Sequence, residues 1–321
     1  MRPMIKYRGG KSKEIPNIIW RIPRFNGRYI EPFFGGGALF FFIEPHNAII
    51  NDINGRLMEF YRMVRDDYET LRKELNELQF LYESYRQDYE KEKKLHPQKR
   101  IEDKNEEMYY HLRAQFNGLE PRQYSEAALY FYINKTAYSG MIRYNANNEF
   151  NVPFGRYPHL STDCVTSEHS ILLNRAELHS TDYSEIFKLC EEDDFVFLDP
   201  PYDCTFSDYG NQEYREGFTE DDHRRLAKEF HELPCKALMI IGETPLIKEL
   251  YEDNIVASYD KNYSVNIRNR FKAGARHLIV TNYDKEIYEL PEANALVSQQ
   301  YPSQITQMMI FEKGDKYGKN Q

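Results

Sequence analysis

Five short runs in this sequence are apolar on both faces: Tyr29–Phe33, Ala48–Asp52, Phe195–Asp199, Lys236–Ile241 and His277–Asn282. A strand with one wetted face alternates polar with apolar residues. A strand covered on both faces does not, and such strands belong to parallel sheets clothed by helices. Helical patterns lie between several of the runs, so the chain is expected to be α/β with an open parallel sheet. The last run, His277–Asn282, fits an antiparallel edge strand.

Two segments depart from simple alternation. Leu57, Tyr61, Val64, Tyr68, Leu71, Leu75, Leu78 and Tyr82 recur at alternating steps of four and three, the spacing of one long helix with a core-facing stripe. The helix-rich, tyrosine-rich stretch 65–160 is too long for a crossover and is expected to be a separate inserted lobe. Residues 1–64 and 161–290 would then make the main domain, and 291–321 a weakly structured tail.

Composition narrows the setting. The longest unbroken apolar run, Ala38 to Ile43, is far short of the ~20 residues a membrane helix needs. The basic first residues, Met1 to Lys13, lack the apolar stretch of a secretory signal. Cys164, Cys190, Cys204 and Cys235 form no C-x-x-C pair, which argues against a zinc knuckle or a disulfide framework. A reducing, cytoplasmic location with no membrane partner is expected. The formal net charge of −9 argues against a generic polyanion binder, and residues 203–253 carry thirteen Asp/Glu against six Lys/Arg. Residues 1–13 and 261–283 nevertheless each hold five Lys/Arg and no acid. Two acid-free basic stretches in an acidic protein point to a phosphate-lined partner.

The first strand runs into Pro32-Phe33-Phe34-Gly35-Gly36-Gly37 and then the apolar helix from Ala38. Glycines at a strand-to-helix turn let the backbone approach a ligand where any Cβ would collide. A dinucleotide fingerprint needs a third glycine at position 40, which is Phe40, so a nicotinamide enzyme is disfavoured. No Lys-Ser/Thr follows the glycines, which argues against a triphosphate loop. The next strand ends in Asn51-Asp52, where a carboxylate can bond both hydroxyls of a ribose. Together these features favour a nucleoside-type cofactor.

The strand Phe195–Leu198 is followed by Asp199-Pro200-Pro201-Tyr202. Each residue before a proline is driven toward extended backbone, and a proline offers a carbonyl with no competing N–H. The product is a stiff ledge at the carboxyl end of the sheet, where open α/β folds bind ligands. It presents one carboxylate, an adjacent carbonyl and an aromatic face. That set suits an exocyclic amine on a planar heterocycle: Asp199 and the Pro200 carbonyl can accept its two hydrogens while Tyr202 stacks on the ring.

The chain resembles the Dam-type (D12 class, alpha group) DNA adenine-N6 methyltransferases over most of residues 1–283. Lys6-Tyr7-Arg8-Gly9-Gly10-Lys11 resembles their amino-terminal cofactor motif, with Tyr7 where tryptophan is common. Glu31 through Gly37 resembles the Phe-x-Gly-x-Gly loop, Asp52 the ribose ligand, Asp182-Tyr183 the pair at the cofactor's adenine, and Asp199 through Tyr202 the catalytic signature. Asn134 through Asn145, followed by Phe150 through Tyr157, resembles the DNA-reading hairpin.

The resemblance implies a Rossmann-like methyltransferase sheet with a helical target-recognition insert, S-adenosylmethionine as cofactor and double-stranded DNA as partner. It implies cofactor contacts from Tyr7, Gly10, Lys11, Phe33, Gly35, Gly37, Asp52, Asp182 and Tyr183. It assigns to Tyr138 insertion beside a displaced adenine, to Arg143 and Lys6 the reading of guanines, and to Pro153 and Tyr157 further target contacts. Met141, where leucine is usual, lies beside the reading residues. GATC is the first expected target. The enzyme would act as a monomer, with or without a companion restriction endonuclease. Methylation of cytosine N4 and a catalytically silent DNA-binding regulator are the alternatives, the first disfavoured by Asp rather than Ser at position 199.

Overall fold

A computed structural model describes residues 1–7, 9–202, 218–261 and 275–283. Its seven strands are β1 (Tyr29–Glu31), β2 (Ala48–Asn51), β3 (Ala176–His179), β4 (Phe195–Leu198), β5 (Lys236–Gly242), β6 (Ile255–Lys261) and β7 (Ala275–Thr281). They form one sheet in the order β3-β2-β1-β4-β5-β7-β6. The first five run parallel, and β7 is antiparallel to both β5 and β6. Every residue of β1, β2 and β4 is buried, as their two-faced apolar pattern requires.

The last sequence run does become an antiparallel strand, but not an edge. It lies inside the sheet, covered by β6, which sequence patterning did not reveal. Leu278, Ile279 and Val280 are all buried.

The helices are α1 (Ile15–Ile18), α2 (Ala38–Ile43), α3 (Gly55–Asp66), α4 (Tyr68–Leu95), α5 (Lys104–Phe116), α6 (Glu126–Thr136), α7 (Ser167–Leu173), α8 (Tyr183–Phe187), α9 (Glu220–His231) and α10 (Pro245–Tyr251). None is long and apolar enough to cross a membrane. The expected single long helix is two, α3 and α4, parted at Asp67 (φ −144°, ψ 55°). Asp side chains compete with the backbone for hydrogen bonds and suit helix ends better than interiors. The apolar stripe continues across the break, with Leu57, Tyr61 and Val64 buried before it and Leu71, Leu75, Leu78 and Tyr82 after it.

One face of the sheet shares its apolar core with the helical insert. Leu71, Leu75 and Tyr82 of α4 and Phe131 of α6 belong to the same buried cluster as Phe40 of α2, Ile50 of β2 and Phe195 of β4. The opposite face buries Ile30, Ile49, Val196 and Leu198 against α8, α9 and α10, through Ile186, Leu226, Phe230 and Ile247. Several features of the sequence lie outside the described residues: the tail 291–321, Arg8, Cys204, and Arg268, Arg270 and Lys272 of the second basic stretch.

A core shared between insert and sheet has a measurable consequence. Leu75→Ala, which empties a fully buried site, is expected to cost ~2–5 kcal/mol. Urea unfolding should register it as a lowered midpoint of one transition common to sheet and insert. A separate early transition confined to the insert would contradict the shared core.

Candidate active site

Three turns at the carboxyl edge of the sheet are tied together by one side chain. The buried Asn51 amide at the end of β2 donates to the Pro32 and Thr181 carbonyls at 2.9 and 3.0 Å and accepts the Thr181 N–H at 2.9 Å. Asp52 beside it accepts from Gly35 N–H at 2.8 Å and from Asn54 N–H at 2.9 Å, one on each carboxylate oxygen. A carboxylate can accept about four hydrogen bonds, so these two fix its orientation without exhausting it. Tyr61 completes the turn by donating its hydroxyl to the Gly35 carbonyl at 3.0 Å.

Gly35 and Gly37 have φ of 48° and 63°, a left-handed backbone that glycine adopts without strain. Space also demands them, because the chain's own aromatics crowd both positions. A Cβ on Gly35 would stand 2.8 Å from the Tyr7 ring, and one on Gly37 2.4 Å from the Phe34 ring. The loop is a seat for the chain's own aromatics, and Tyr7 is itself held by a tight turn closed from Gly10 N–H to the Tyr7 carbonyl at 3.2 Å.

The turns enclose a cleft of about 850 Å³, counting its open mouth. Tyr7, Gly10, Lys11, Phe33, Gly35, Gly37, Asp52, Tyr183, Asp199, Pro201 and Tyr202 all line it. Phe33 and Tyr183 form an aromatic wall with ring centroids 5.2 Å apart. Asp182 is turned away from this lining: it caps α8 through Ser184 N–H at 3.0 Å and pairs with Arg225 at 3.0 Å. Burial alone would raise its carboxyl, but the Ser184 and Arg225 bonds outweigh that and hold it below the usual range.

Glu31 also lines the cleft, a role that sequence reading did not assign. It is buried at the end of β1 and accepts the Tyr29 hydroxyl at 2.8 Å. Burial pushes its carboxyl well above the usual range, and the neighbouring Asp199 and Asp52 charges push the same way.

At the far wall stands the proline-stiffened tetrapeptide. Pro200 is buried, whereas Asp199 and Tyr202 are half-buried at the surface of the cleft. The Lys11 ammonium, itself almost wholly buried, lies 2.6 Å from Asp199 Oδ1 and 2.7 Å from Oδ2. It also donates to the Gly9 carbonyl at 2.9 Å and sits 5.1 Å from the Tyr202 ring centroid. Lys11 therefore belongs to the tetrapeptide as much as to the glycine loop.

The hairpin expected between Asn134 and Tyr157 is an antiparallel ribbon. Its rungs join Ala137 to Phe154 and Tyr144 to Phe150, with Tyr138 N–H donating to the Pro153 carbonyl at 2.9 Å. Tyr138 is 55% and Met141 37% exposed on it. Arg143 is exposed and braced by Asn151, with Nε 2.8 Å from Oδ1. Lys6 lies against this ribbon, its ammonium 4.2 Å from the Tyr157 ring centroid and its stem against Gly140. Burial lowers its pKa, and the nearby Lys135 charge adds to the effect. Asn134 holds the Lys6 backbone at two points, accepting its N–H at 2.8 Å and donating to its carbonyl at 2.6 Å. Asn134 and Asn151 are positioning groups that only the folded ribbon discloses.

A family model for the D12 class N6 adenine-specific DNA methyltransferases matches residues 7–267, a span that takes in the glycine loop, the ribbon and the tetrapeptide. The chain belongs to that family. Among curated relatives, the Type II methyltransferase M.CviBI of Paramecium bursaria Chlorella virus NC1A is 32% identical over 88% of this chain and 100% of its own length. The Type II methyltransferase M1.LlaDCHI of Lactococcus lactis subsp. cremoris is 30% identical over 88% of this chain and 96% of its own. A DNA adenine methylase of Haemophilus influenzae is 27% identical over 66% of this chain and 70% of its own. The D12 methyltransferase sheet and its carboxyl-edge cleft are thus the frame in which the residues above are placed.

The state of Glu31 has a pH signature. A carboxyl with a raised native pKa binds its proton more tightly folded than unfolded, so it costs stability once pH exceeds the unfolded value of ~4.3, and the cost grows toward the native pKa. Glu31→Gln removes that cost and should raise the melting temperature relative to wild type at pH 8 but not at pH 4. Equal melting temperatures at both pH values would mean that Glu31 ionises normally.

Proposed function

We propose that the protein transfers the methyl group of S-adenosylmethionine to N6 of an adenine displaced from double-stranded DNA. The observation that carries this reading is the Asp199 carboxylate at the mouth of the cleft, gripped by a buried ammonium and flanked by the Tyr202 ring. An acceptor so held can accept a hydrogen bond from one N–H of an exocyclic amine, and the adjacent Pro200 carbonyl from the other, which turns the nitrogen lone pair toward the cleft. One of these protons would depart as the new N–C bond forms and the sulfonium leaves as a neutral thioether. Lys11 anchors Asp199 through both of its oxygens.

The cleft chemistry fits the cofactor. Asp52 and Asp199 line it against one lysine already paired with Asp199, and Glu31 adds a carboxyl rather than a cation. That balance suits a ligand carrying ammonium and sulfonium charges and opposes a polyphosphate. Asp52 is oriented to accept from ribose hydroxyls, and Phe33 with Tyr183 offers an apolar wall to a purine. Tyr7, Gly10, Gly35 and Gly37 shape the pocket floor, with Asp182 anchoring the turn beneath Tyr183. When bound, S-adenosylmethionine supplies an electrophilic methyl carbon. The chain's own contribution is alignment of amine and methyl group at near-attack distance.

Adenine N6 is out of reach inside a duplex, so the base must leave the stack at a cost of a few kcal/mol. Exposed Tyr138 is suited to fill the vacated space, and Tyr202 to stack on the extruded base. Lys6 and Arg143 are proposed to read guanines, the commonest partners of such side chains in the major groove, with Met141, Pro153 and Tyr157 lining the contact. On this reading residues 65–160 form the target-recognition domain, and 1–64 with 161–290 the catalytic one. The hairpin's likeness to its family supports GATC as the target.

Duplex DNA incubated with methyl-labelled S-adenosylmethionine and digested to nucleosides should yield N6-methyladenine, and sequencing of modified bases would define the target. Label on cytosine, or none, would refute the reading. Asp199→Ala should abolish transfer while largely preserving cofactor affinity, measured by calorimetry. Arg143→Ala should relax discrimination at one base pair by ~1–3 kcal/mol; uniform weakening across all sequences would mark a phosphate contact instead.

A further inference from the structure

Behind the tetrapeptide lies a buried polar cluster that the reading above does not use. His277, in β7, is fully buried. Its ring meets the Tyr202 ring edge to face, with centroids 5.0 Å apart at 83°, and its Nδ1 stands 3.4 Å from the Tyr202 hydroxyl. The same Nδ1 lies 2.8 Å from Glu14 Oε2. Glu14 is buried too and accepts the hydroxyl of Tyr259, which β6 brings alongside His277. Gly242, the cross-strand partner of His277, backs Tyr202 as well, since an added Cβ there would stand 3.4 Å from the ring.

The origin of Glu14 gives this cluster its meaning. Glu14 N–H donates to the Lys11 carbonyl at 2.7 Å, so both residues belong to one turn. That turn touches the tetrapeptide at both ends: Lys11 grips Asp199 directly, and Glu14 fixes the His277 ring, which packs edge to face on Tyr202. A carboxylate and an imidazole buried together must be hydrogen-bonded in fixed geometry to offset their desolvation, and fixed geometry is what a stacking ring requires of its backing. Packing alone could be met by an apolar residue at position 277. A hydrogen-bonded imidazole, tied to the segment that also sets the catalytic carboxylate, adds a directional constraint.

We propose that Glu14 and His277 are positioning residues for Tyr202. They set the pitch of the aromatic face against the displaced adenine while Lys11 sets the acceptor, so that one short turn aligns both ends of the catalytic ledge. The proposal rests on Tyr202 being the stacking face of an adenine methyltransferase.

The test uses the full-length protein, S-adenosylmethionine and a duplex carrying the methylated sequence. His277→Phe keeps a ring but removes the hydrogen bonds; the single-turnover rate of methyl transfer should fall by about 10- to 100-fold, with cofactor affinity unchanged. His277→Asn, which restores a hydrogen-bonding group near Nδ1, should recover part of the rate. In a Tyr202→Ala background, where no ring remains to be positioned, His277→Phe should cause little further loss, a non-additivity expected only of coupled residues. Glu14→Gln, which preserves shape, gives the same comparison should His277→Phe fail to fold.

A wild-type rate in both His277→Phe and Glu14→Gln would overturn the proposal. So would an equal loss with and without Tyr202, or a rate loss matched by lost cofactor affinity. Failure of the wild-type protein to methylate adenine would instead defeat the functional reading itself, before any variant is compared.

Discussion

The pairing of β1 with β4 is the constraint on which the site depends. Tyr29 and Ile30 lie in register with Phe195 and Val196, at the point where the strand order reverses between β2-β1 and β4-β5. Turns that leave neighbouring strands at such a point diverge to opposite faces and open a crevice between them. Here one turn is the glycine loop and the other the Asp-Pro-Pro-Tyr ledge. Their separation is therefore a property of adjacent strands in a buried sheet, which is among the stiffest distances a protein can set. Asn51 reaches the cleft from β2, the other neighbour of β1, and Lys11 through its pair with Asp199 just past β4.

Electrostatics in the cleft follow from its burial. Three carboxyl groups line the cleft, and the chain answers each differently. Asp52 is met by two backbone N–H groups and Asp199 by an ammonium, whereas Glu31 is buried beside a tyrosine hydroxyl with its pKa raised. The arrangement leaves the pocket short of positive charge. Such a shortage can be corrected by a cationic guest, and it makes the cleft selective before any specific contact forms.

Local chemistry was legible in the sequence wherever backbone and composition alone determine it. The two-faced apolar runs identified β1, β2, β4, β5 and β7, and Gly35, Gly37 and Asp199 announced themselves by residue type. What stayed hidden depends on long-range pairing. β3 has only Ala176 fully buried, too weak a pattern to register, and β6 borders solvent. Without β6 the run at His277 had to look like an edge. The break at Asp67 was masked because the apolar spacing continues through it on both sides. Glu14 carries no sequence signal because its partner His277 lies 263 positions away, and Glu31 is set apart only by its burial beside Tyr29.

The placement of β7 also bears on how the enzyme comes into being on the ribosome. The strand is made after β6 yet lies between β5 and β6, so β6 must wait, without its neighbour in the sheet, until residues 275–281 have emerged. The imidazole behind Tyr202 is made after both the glycine loop and the Asp-Pro-Pro-Tyr ledge. A nascent or truncated chain would carry the glycine loop and the Asp-Pro-Pro-Tyr sequence but an unfinished sheet, and competence would arrive late, with the insertion of a single strand.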